Sequence, residues 1–184
     1  NEAIDLVKEM VIDLQSRLAA WYLEKNVAPS KIENLIQFCY NFLEKKGAHD
    51  AIEQARGEAA SIAGSMTVKA CKLSDAGELA FFWGHDYCTG MDFSLRRGAC
   101  FVTSNPAKIN LYRKENAQEW EAMLSEVRKE NPGISPEETV MRMYVKVVSM
   151  IAARLRPIYD ASNGKYGLVC IQPNPTTTKN SKAM

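Results

Sequence analysis

The chain has 184 residues, and its 23 basic and 22 acidic side chains leave a formal net charge of +1. This length suits one ordinary domain or part of a larger one, and a hydrophobic content of 46% is enough for a sizeable core. Because a nearly neutral chain has no long-range positive field, nucleic acid and anionic membrane surfaces are not expected partners. No apolar run approaches the roughly 18 residues of a membrane span.

The cysteine count is odd, and no two cysteines have the close spacing of a zinc or redox motif. We therefore expect buried, free thiols in a reducing compartment, and we predict no metal site. The first residues lack the basic start and apolar stretch of a signal peptide, so the sequence predicts a cytoplasmic protein. The cysteines are Cys39, Cys71, Cys88, Cys100 and Cys170.

The first part of the chain has the apolar spacing of amphipathic helices. Ser30, with Glu33 three residues later, forms a capping box at the start of the second of them. No catalytic pattern is evident in this part, so residues 1–64 are assigned to a helical N-terminal segment. The predicted helices run over residues 3–23, 30–46 and 50–62.

From about residue 65 onward, short apolar runs alternate with helical patterns, which is typical of a parallel α/β sheet. The runs are continuous rather than alternating, as expected for strands that are buried on both faces. Ser135 is followed by Pro136 and two glutamates, which is a strong helix start. The predicted strands run over residues 79–83, 98–102 and 168–172, residues 66–71 are predicted to form a short strand or an extended link, and the predicted helices begin at Asn116 and Ser135.

Polar residues follow the last three of these apolar runs. In parallel α/β folds, the catalytic and ligand-binding residues lie where strands end and the following loops begin. We therefore predict one site at this edge, with Asp86 as its acid/base group. Two plainer interpretations stay open: Asp86 caps the following loop, and Asn105 before Pro106 opens a turn. The candidate residues are Asp86, Thr103, Ser104, Asn105, Gln172 and Asn174.

Three segments of the second half, taken in order, resemble the transaldolase family. Residues 98–106, which read GACFVTSNP, resemble the family signature gly-val-thr-ser/thr-asn-pro. Residues 153–164, which read ARLRPIYDASNG, look like the helix-end pattern leu-arg-pro-val-tyr with a following asn-gly. Residues 167–173, which read GLVCIQP, lie where the family has its gly-tyr-val-ser-leu-glu strand. The resemblance covers about residues 81–184.

The resemblance implies an α/β fold of the (β/α)8 TIM-barrel type. Only the first strands of that barrel would be present, in residues 65–184, preceded by the N-terminal helical segment. It also implies a transferase of carbohydrate metabolism in the pentose phosphate pathway. A barrel lysine forms a Schiff base with a ketose phosphate, a carbon–carbon bond breaks, and the bound dihydroxyacetone unit passes to an aldehyde acceptor. The expected partners are small-molecule sugar phosphates, and this chemistry needs no cofactor.

By the same resemblance, Asp86 moves the proton of the substrate hydroxyl during cleavage, and Asn105 helps to hold the dihydroxyacetone unit. Gln172 stands where most transaldolases have a glutamate that acts through a water, whereas the related fructose-6-phosphate aldolases have glutamine there. Because an amide does not take up a proton as a carboxylate does, Gln172 moves the expectation toward an aldolase-like activity. Further substrate contacts are assigned to Thr103, Ser104 and Asn174.

The family's Schiff-base lysine lies on a later strand, so we expect it beyond the end of this chain. Lys69, flanked by apolar residues on a predicted strand, is a weaker candidate within the chain. A second hypothesis is a non-catalytic, transaldolase-related interaction protein, in which the helical segment covers the sheet or two chains form a homo-oligomer. A third is an unrelated α/β domain with chance matches to the motifs.

Overall fold

Helices dominate the fold. The computed structural model of the protein describes residues 2–22 and 27–172. Within these ranges no helix is long and apolar enough to cross a membrane. The helices are α1 (Glu2–Leu14), α2 (Arg17–Tyr22), α3 (Pro29–Lys45), α4 (His49–Gly64), α5 (Met66–Asp75), α6 (Met91–Leu95), α7 (Pro106–Glu115), α8 (Ala117–Glu130) and α9 (Pro136–Ala161). The strands are β1 (Gly84–His85), β2 (Phe101–Thr103) and β3 (Leu168–Cys170).

The sheet is parallel, with the strand order β1-β2-β3, and its strands have only two or three residues each. In the described part of the chain, β1 and β3 each pair on one side only, so the sheet does not close. The expected (β/α)8 TIM-barrel type is therefore wrong, because the protein is mostly helical with one small parallel sheet. A closed barrel of that type needs about eight tilted strands, and half of the predicted strands are not strands here.

The N-terminal helices form a hydrophobic core of their own. Helix α1 packs against α3 and α4, and their apolar faces meet around Val11, Leu43 and Ala55, which are fully buried. The predicted helices over residues 30–46 and 50–62 are confirmed as α3 and α4. This core is separate from the one that surrounds the sheet.

Two details of the predicted N-terminal helices are wrong. The capping box at Ser30 is not formed, because Pro29 already starts α3 with its fixed φ and no side chain caps the helix. The single helix over residues 3–23 is interrupted after Leu14. There the hydroxyl of Ser16 donates to the carbonyl oxygen of Asp13 at 2.9 Å and closes a turn, so the chain changes direction.

The first two predicted strands are also wrong. Residues 66–71 belong to α5, because Ser65 caps that helix by accepting a hydrogen bond from the backbone N–H of Val68. Val68 and Cys71 are buried three residues apart, which is helical spacing. Residues 79–83 have no regular structure, and β1 begins directly after them.

The later elements follow the sequence pattern more closely. Strands β2 and β3 overlap the predicted strands, and the helices predicted from Asn116 and Ser135 are confirmed as α8 and α9. Ser135 caps α9 as expected, because its side chain accepts from the backbone N–H of Glu138. The sequence does not predict α7, whose short buried stripe consists of Ile109 and Tyr112 alone.

The two faces of the sheet differ. Helix α9 packs against β3, and the side of the sheet that holds the completely buried Val102 belongs to the core that surrounds the sheet. Because side chains alternate along a strand, the residues of the opposite side share one surface, which we call the open face. Leu168 on the open face is 47% exposed. The open face consists of Gly84, Asp86, Phe101, Thr103, Leu168 and Cys170.

Two glycines fix how closely the strands approach their neighbours. A Cβ atom at Gly84 would lie 2.4 Å from the ring of Phe101, which packs over this position on the open face. Gly167, with a φ of +78°, precedes β3. A Cβ atom there would lie 2.5 Å from the backbone nitrogen of Tyr159 and 2.8 Å from the carbonyl oxygen of Leu155. The contact between α9 and the start of β3 is therefore backbone against backbone.

A buried arginine joins the two cores. Arg96, directly after α6, is 6% exposed and donates hydrogen bonds to three carboxylates of the N-terminal helices. The donor–acceptor distances are 2.7 Å to Asp13, 2.8 Å to Glu9 and 3.2 Å to Glu58. Burial works to lower the pKa of Arg96, but the hydrogen bonds and the charges of Glu9 and Asp13 outweigh it and raise the pKa. The guanidinium therefore stays charged.

We predict that Arg96→Lys destabilises the protein almost as much as Arg96→Met. A lysine ammonium is a single point charge, whereas the planar guanidinium reaches three separate acceptors at once. Each change should lower the free energy of unfolding by about 2–4 kcal/mol, as measured by urea denaturation. Arg142→Met is the matched control, because Arg142 forms an exposed pair with Glu138 on α9 and should cost under about 1 kcal/mol. An Arg96→Lys variant with wild-type stability would contradict this role.

Candidate functional site

The carboxyl ends of all three strands lie at one edge of the sheet, because the strands are parallel and neighbouring. Thr103 at the end of β2 pairs with Cys170 at the end of β3, and Asp86 directly follows β1. In open parallel sheets, ligands bind in the crevice outside this edge. The sequence prediction placed its candidate residues at this edge.

Asp86 is held by two neighbours and is still accessible. Its Oδ1 accepts a hydrogen bond from the hydroxyl of Thr103 at 2.7 Å, and its Oδ2 lies 3.8 Å from the ammonium of Lys108. The side chain of Asp86 is 63% exposed. The carboxylate therefore has a fixed orientation on the open face and is free to meet a ligand.

Asn105 is the N-cap of α7. Its Oδ1 accepts from the backbone N–H of Lys108 at 3.0 Å, and Pro106 occupies the first helical position. The cap satisfies one of the free N–H groups at the start of the helix and turns Lys108 toward Asp86. Because the cap uses only the amide oxygen, the NH2 group of Asn105 remains a donor for a ligand.

Ser104 points into the protein and is 3% exposed. Its hydroxyl donates to the carbonyl oxygen of Cys170 at 3.1 Å and contacts the hydroxyl of Tyr144 at 3.1 Å. Both contacts are internal, so the side chain of Ser104 joins β2 to β3 and to α9. A substrate at the edge of the sheet would not reach this hydroxyl without displacing a buried hydrogen bond.

The remaining predicted residues differ in their positions. Gln172 lies two residues beyond β3 with an exposed side chain, and its backbone N–H donates to the hydroxyl of Tyr144 at 3.1 Å. Asn174 lies outside the described residues. Lys69 is an exposed residue of α5 and not of a strand. In the same helix, Cys71 packs against Gly98, which lies before the start of β2. Helix α5 therefore contacts the amino end of this strand, and Lys69 does not belong to the carboxyl edge.

Besides Lys108, two residues that support the site were not found from the sequence. His85 holds the loop that carries Asp86: its Nε2 lies 2.9 Å from the carbonyl oxygen of Thr89, and its Nδ1 lies 2.9 Å from the hydroxyl of Ser94. Since a carbonyl only accepts, Nε2 carries a proton and donates it to Thr89. Tyr144 is the other residue. In the sequence it has only the spacing of a core residue of α9, and His85 has no companion that would mark it.

The cysteines are buried, as expected, with one exception. Burial raises the pKa of Cys88 to about 11 and also raises the pKa of Cys39, Cys71 and Cys100. Cys170 is exposed, so the expectation of buried thiols is wrong there. The reason is the open face, on which Cys170 lies beside Thr103. In the described ranges, no group of three or more His, Cys, Asp or Glu side chains is arranged to hold a metal ion.

Comparisons of the chain with protein-family models, with curated proteins and with solved structures found no match. The resemblance to transaldolases thus rests on the three sequence segments. What the structure adds is the arrangement of Asp86, Thr103, Asn105, Lys108 and Gln172 along one sheet edge.

We predict that one thiol of the native protein reacts rapidly with a disulfide or alkylating reagent, and that peptide mapping identifies it as Cys170. The other four thiols are buried and have raised pKa values, so both access and thiolate content are low. Cys170→Ser should remove the rapid phase, and Cys88→Ser should leave it unchanged. Rapid labelling of several thiols without denaturant would contradict the burial of the other four cysteines.

Proposed function

We propose that the carboxyl edge of the sheet is part of the catalytic site of a transaldolase-like Schiff-base enzyme. Such an enzyme cleaves a ketose phosphate and transfers or releases a dihydroxyacetone unit. The observation that carries the proposal is the fixed contact between Asp86 and Thr103, with Asn105 and Gln172 on the neighbouring strand ends. The edge therefore offers a carboxylate, amide groups and a hydroxyl to one small polyhydroxylated molecule.

The proposed roles follow from the hydrogen-bonding capacity of each group. Asp86 accepts the proton of the substrate hydroxyl while the carbon–carbon bond breaks, and the donor hydroxyl of Thr103 keeps its carboxylate in place. The ammonium of Lys108 stabilises the carboxylate charge from the other side. Asn105 donates from its NH2 group to a ligand oxygen, and Gln172 orients a water.

The lysine that forms the imine is proposed to lie outside these 184 residues, as the resemblance implies. The position of Lys69 on the surface of α5 does not favour it. The ammonium of Lys108 also contacts the site, but it pairs with Asp86 at 3.8 Å. The carboxylate of Asp86 thus engages this nitrogen, and nucleophilic attack on a ketone requires a free, neutral amine.

Dihydroxyacetone tests the proposed site directly. We expect a titration of the 15N-labelled chain to shift the backbone amide resonances of Asp86, Thr103, Asn105 and Gln172, with a dissociation constant in roughly the millimolar range for so small a ligand. Glycerol, which lacks the ketone, is the control ligand. Asp86→Asn and Thr103→Val should weaken binding, whereas Asp160→Asn at the distant end of α9 should not. If dihydroxyacetone shifts none of these four resonances, the site assignment is wrong.

Borohydride trapping separates the lysine assignment from the site assignment. With dihydroxyacetone and borohydride, we expect no covalent adduct on the 184-residue chain even where binding is observed, because the imine lysine lies elsewhere. Peptide mapping decides the outcome. An adduct on Lys108 would contradict the proposal that the imine lysine lies outside these residues. It would instead identify Lys108, beside Asp86, as the residue that forms the imine.

In the catalytically complete enzyme, Asp86→Asn should lower kcat for a ketose phosphate donor by about 10²–10⁴-fold, the usual contribution of a positioned acid/base group. An amide occupies the same volume but accepts no proton. Steady-state kinetics with a ketose phosphate donor and an aldose acceptor would measure this, with Asp160→Asn as the control. Turnover near the wild-type value would remove the proposed role of Asp86.

A second candidate function is favoured by the open face itself. Parallel sheets are normally covered on both faces, but Leu168 is 47% exposed, and Phe82, two residues before β1, is 56% exposed. This arrangement suits a non-catalytic protein that pairs with another chain through the sheet. Sedimentation of the wild type, of Leu168→Lys and of the control Leu6→Lys distinguishes the two functions. Self-association that only Leu168→Lys abolishes would favour the interaction protein.

A further inference from the structure

Tyr144 lies at the centre of a hydrogen-bond network between α9 and the ends of two strands. It is 3% exposed, and its hydroxyl lies 3.1 Å from the hydroxyl of Ser104 and 3.2 Å from the carbonyl oxygen of Ser104. The backbone N–H of Gln172 donates to the same hydroxyl at 3.1 Å. One phenol oxygen thus contacts the residue before Asn105 and the backbone of Gln172.

The direction of these hydrogen bonds is determined by the acceptors. The Ser104 hydroxyl donates to the carbonyl oxygen of Cys170, which has no proton to give. The Tyr144 hydroxyl then donates its single proton to the carbonyl oxygen of Ser104, and it accepts a hydrogen bond from the backbone N–H of Gln172. Every polar group in this buried network has a partner, so the network has one stable arrangement.

The position of the network matters because β2 and β3 are only three residues long. Short strands supply few backbone hydrogen bonds to fix the ends from which Asn105 and Gln172 extend. The network supplies cross-links there: Ser104 joins the two strand ends, and Tyr144 attaches both to the long helix α9.

We propose that Tyr144 is a positioning residue of the site: its hydroxyl sets the separation between Asn105 and Gln172 without touching the ligand. This inference rests on the proposed function, because it assigns the two residues to one ligand. Removing the hydroxyl leaves the aromatic ring in the core but deprives the Gln172 N–H of its acceptor. Ser104 still joins β2 to Cys170, but Gln172 beyond β3 then moves more freely relative to Asn105, and a ligand held between the two residues binds less tightly.

The test compares Tyr144→Phe with Tyr159→Phe, a control on the same helix whose side chain is 41% exposed. The first readout needs no ligand. We expect hydrogen exchange of the Gln172 amide to accelerate by about 3- to 10-fold in Tyr144→Phe, the effect of losing one ordinary hydrogen bond, while the Val102 amide keeps its wild-type rate. Unchanged exchange at Gln172 in Tyr144→Phe would overturn the inference.

The second readout is the affinity for dihydroxyacetone. We expect the dissociation constant to rise by about 3- to 10-fold in Tyr144→Phe and to stay at the wild-type value in Tyr159→Phe. Ser104→Ala, which keeps the Tyr144 ring intact, should weaken binding similarly, and the double variant should be little worse than either single one because both act through one network. Ser104→Ala also serves if Tyr144→Phe does not fold.

The outcomes separate the two proposals. If the wild type binds dihydroxyacetone and both Tyr144→Phe and Ser104→Ala bind it equally well, Tyr144 is only a structural residue and the inference is overturned. If the wild type binds no dihydroxyacetone, the proposed function fails. The exchange of the Gln172 amide then still decides whether Tyr144 holds the strand ends.

Discussion

The buried guanidinium of Arg96 is the interaction on which the arrangement of the whole chain depends. Three carboxylates from α1 and α4 converge at this point, and without a cation they would repel one another and no longer attach the N-terminal core to the core around the sheet. The carbonyl oxygen of the same residue accepts from the backbone N–H of Arg17, so it also fixes the start of α2. Because each carboxylate is still partly hydrated, the cation joins helices without the full cost of a buried ion cluster.

A series of contacts leads from Arg96 to the carboxyl edge of the sheet. Helix α6 ends next to Arg96 and also carries Ser94, which holds His85 and so the loop with Asp86. On the same covered face of the sheet, α9 holds the ends of β2 and β3 through Tyr144. The candidate site therefore lies on short strands whose ends are attached to helices. Rigid attachment is what a site needs when its polar groups come from separate strands.

The sequence was a good guide where one signal is strong and local. Helix α9 repeats its apolar spacing over 26 residues behind the cap of Ser135, and polar residues such as Thr103 stand directly after apolar runs. It failed where short apolar runs fit either structure, as at residues 66–71, where the cap at Ser65 decides for a helix. The roles of Arg96 and Tyr144 depend on partners that are far away in the chain. The local spacing of apolar and polar residues does not predict such contacts. The closed barrel was a property of the resemblance, and three short strands do not form it.

The close approach at Gly167 has a consequence for how this chain can diverge. The atoms that exclude a side chain there are peptide groups of Leu155 and Tyr159, and no choice of neighbouring side chain makes room for it. A residue with a side chain is therefore not tolerated at this position. The separation between the backbone of α9 and the start of β3 has to stay the same in every functional descendant. Any evolutionary change in how far Gln172 reaches toward the neighbouring strand ends must then arise beyond the strand, in the residues that follow Cys170.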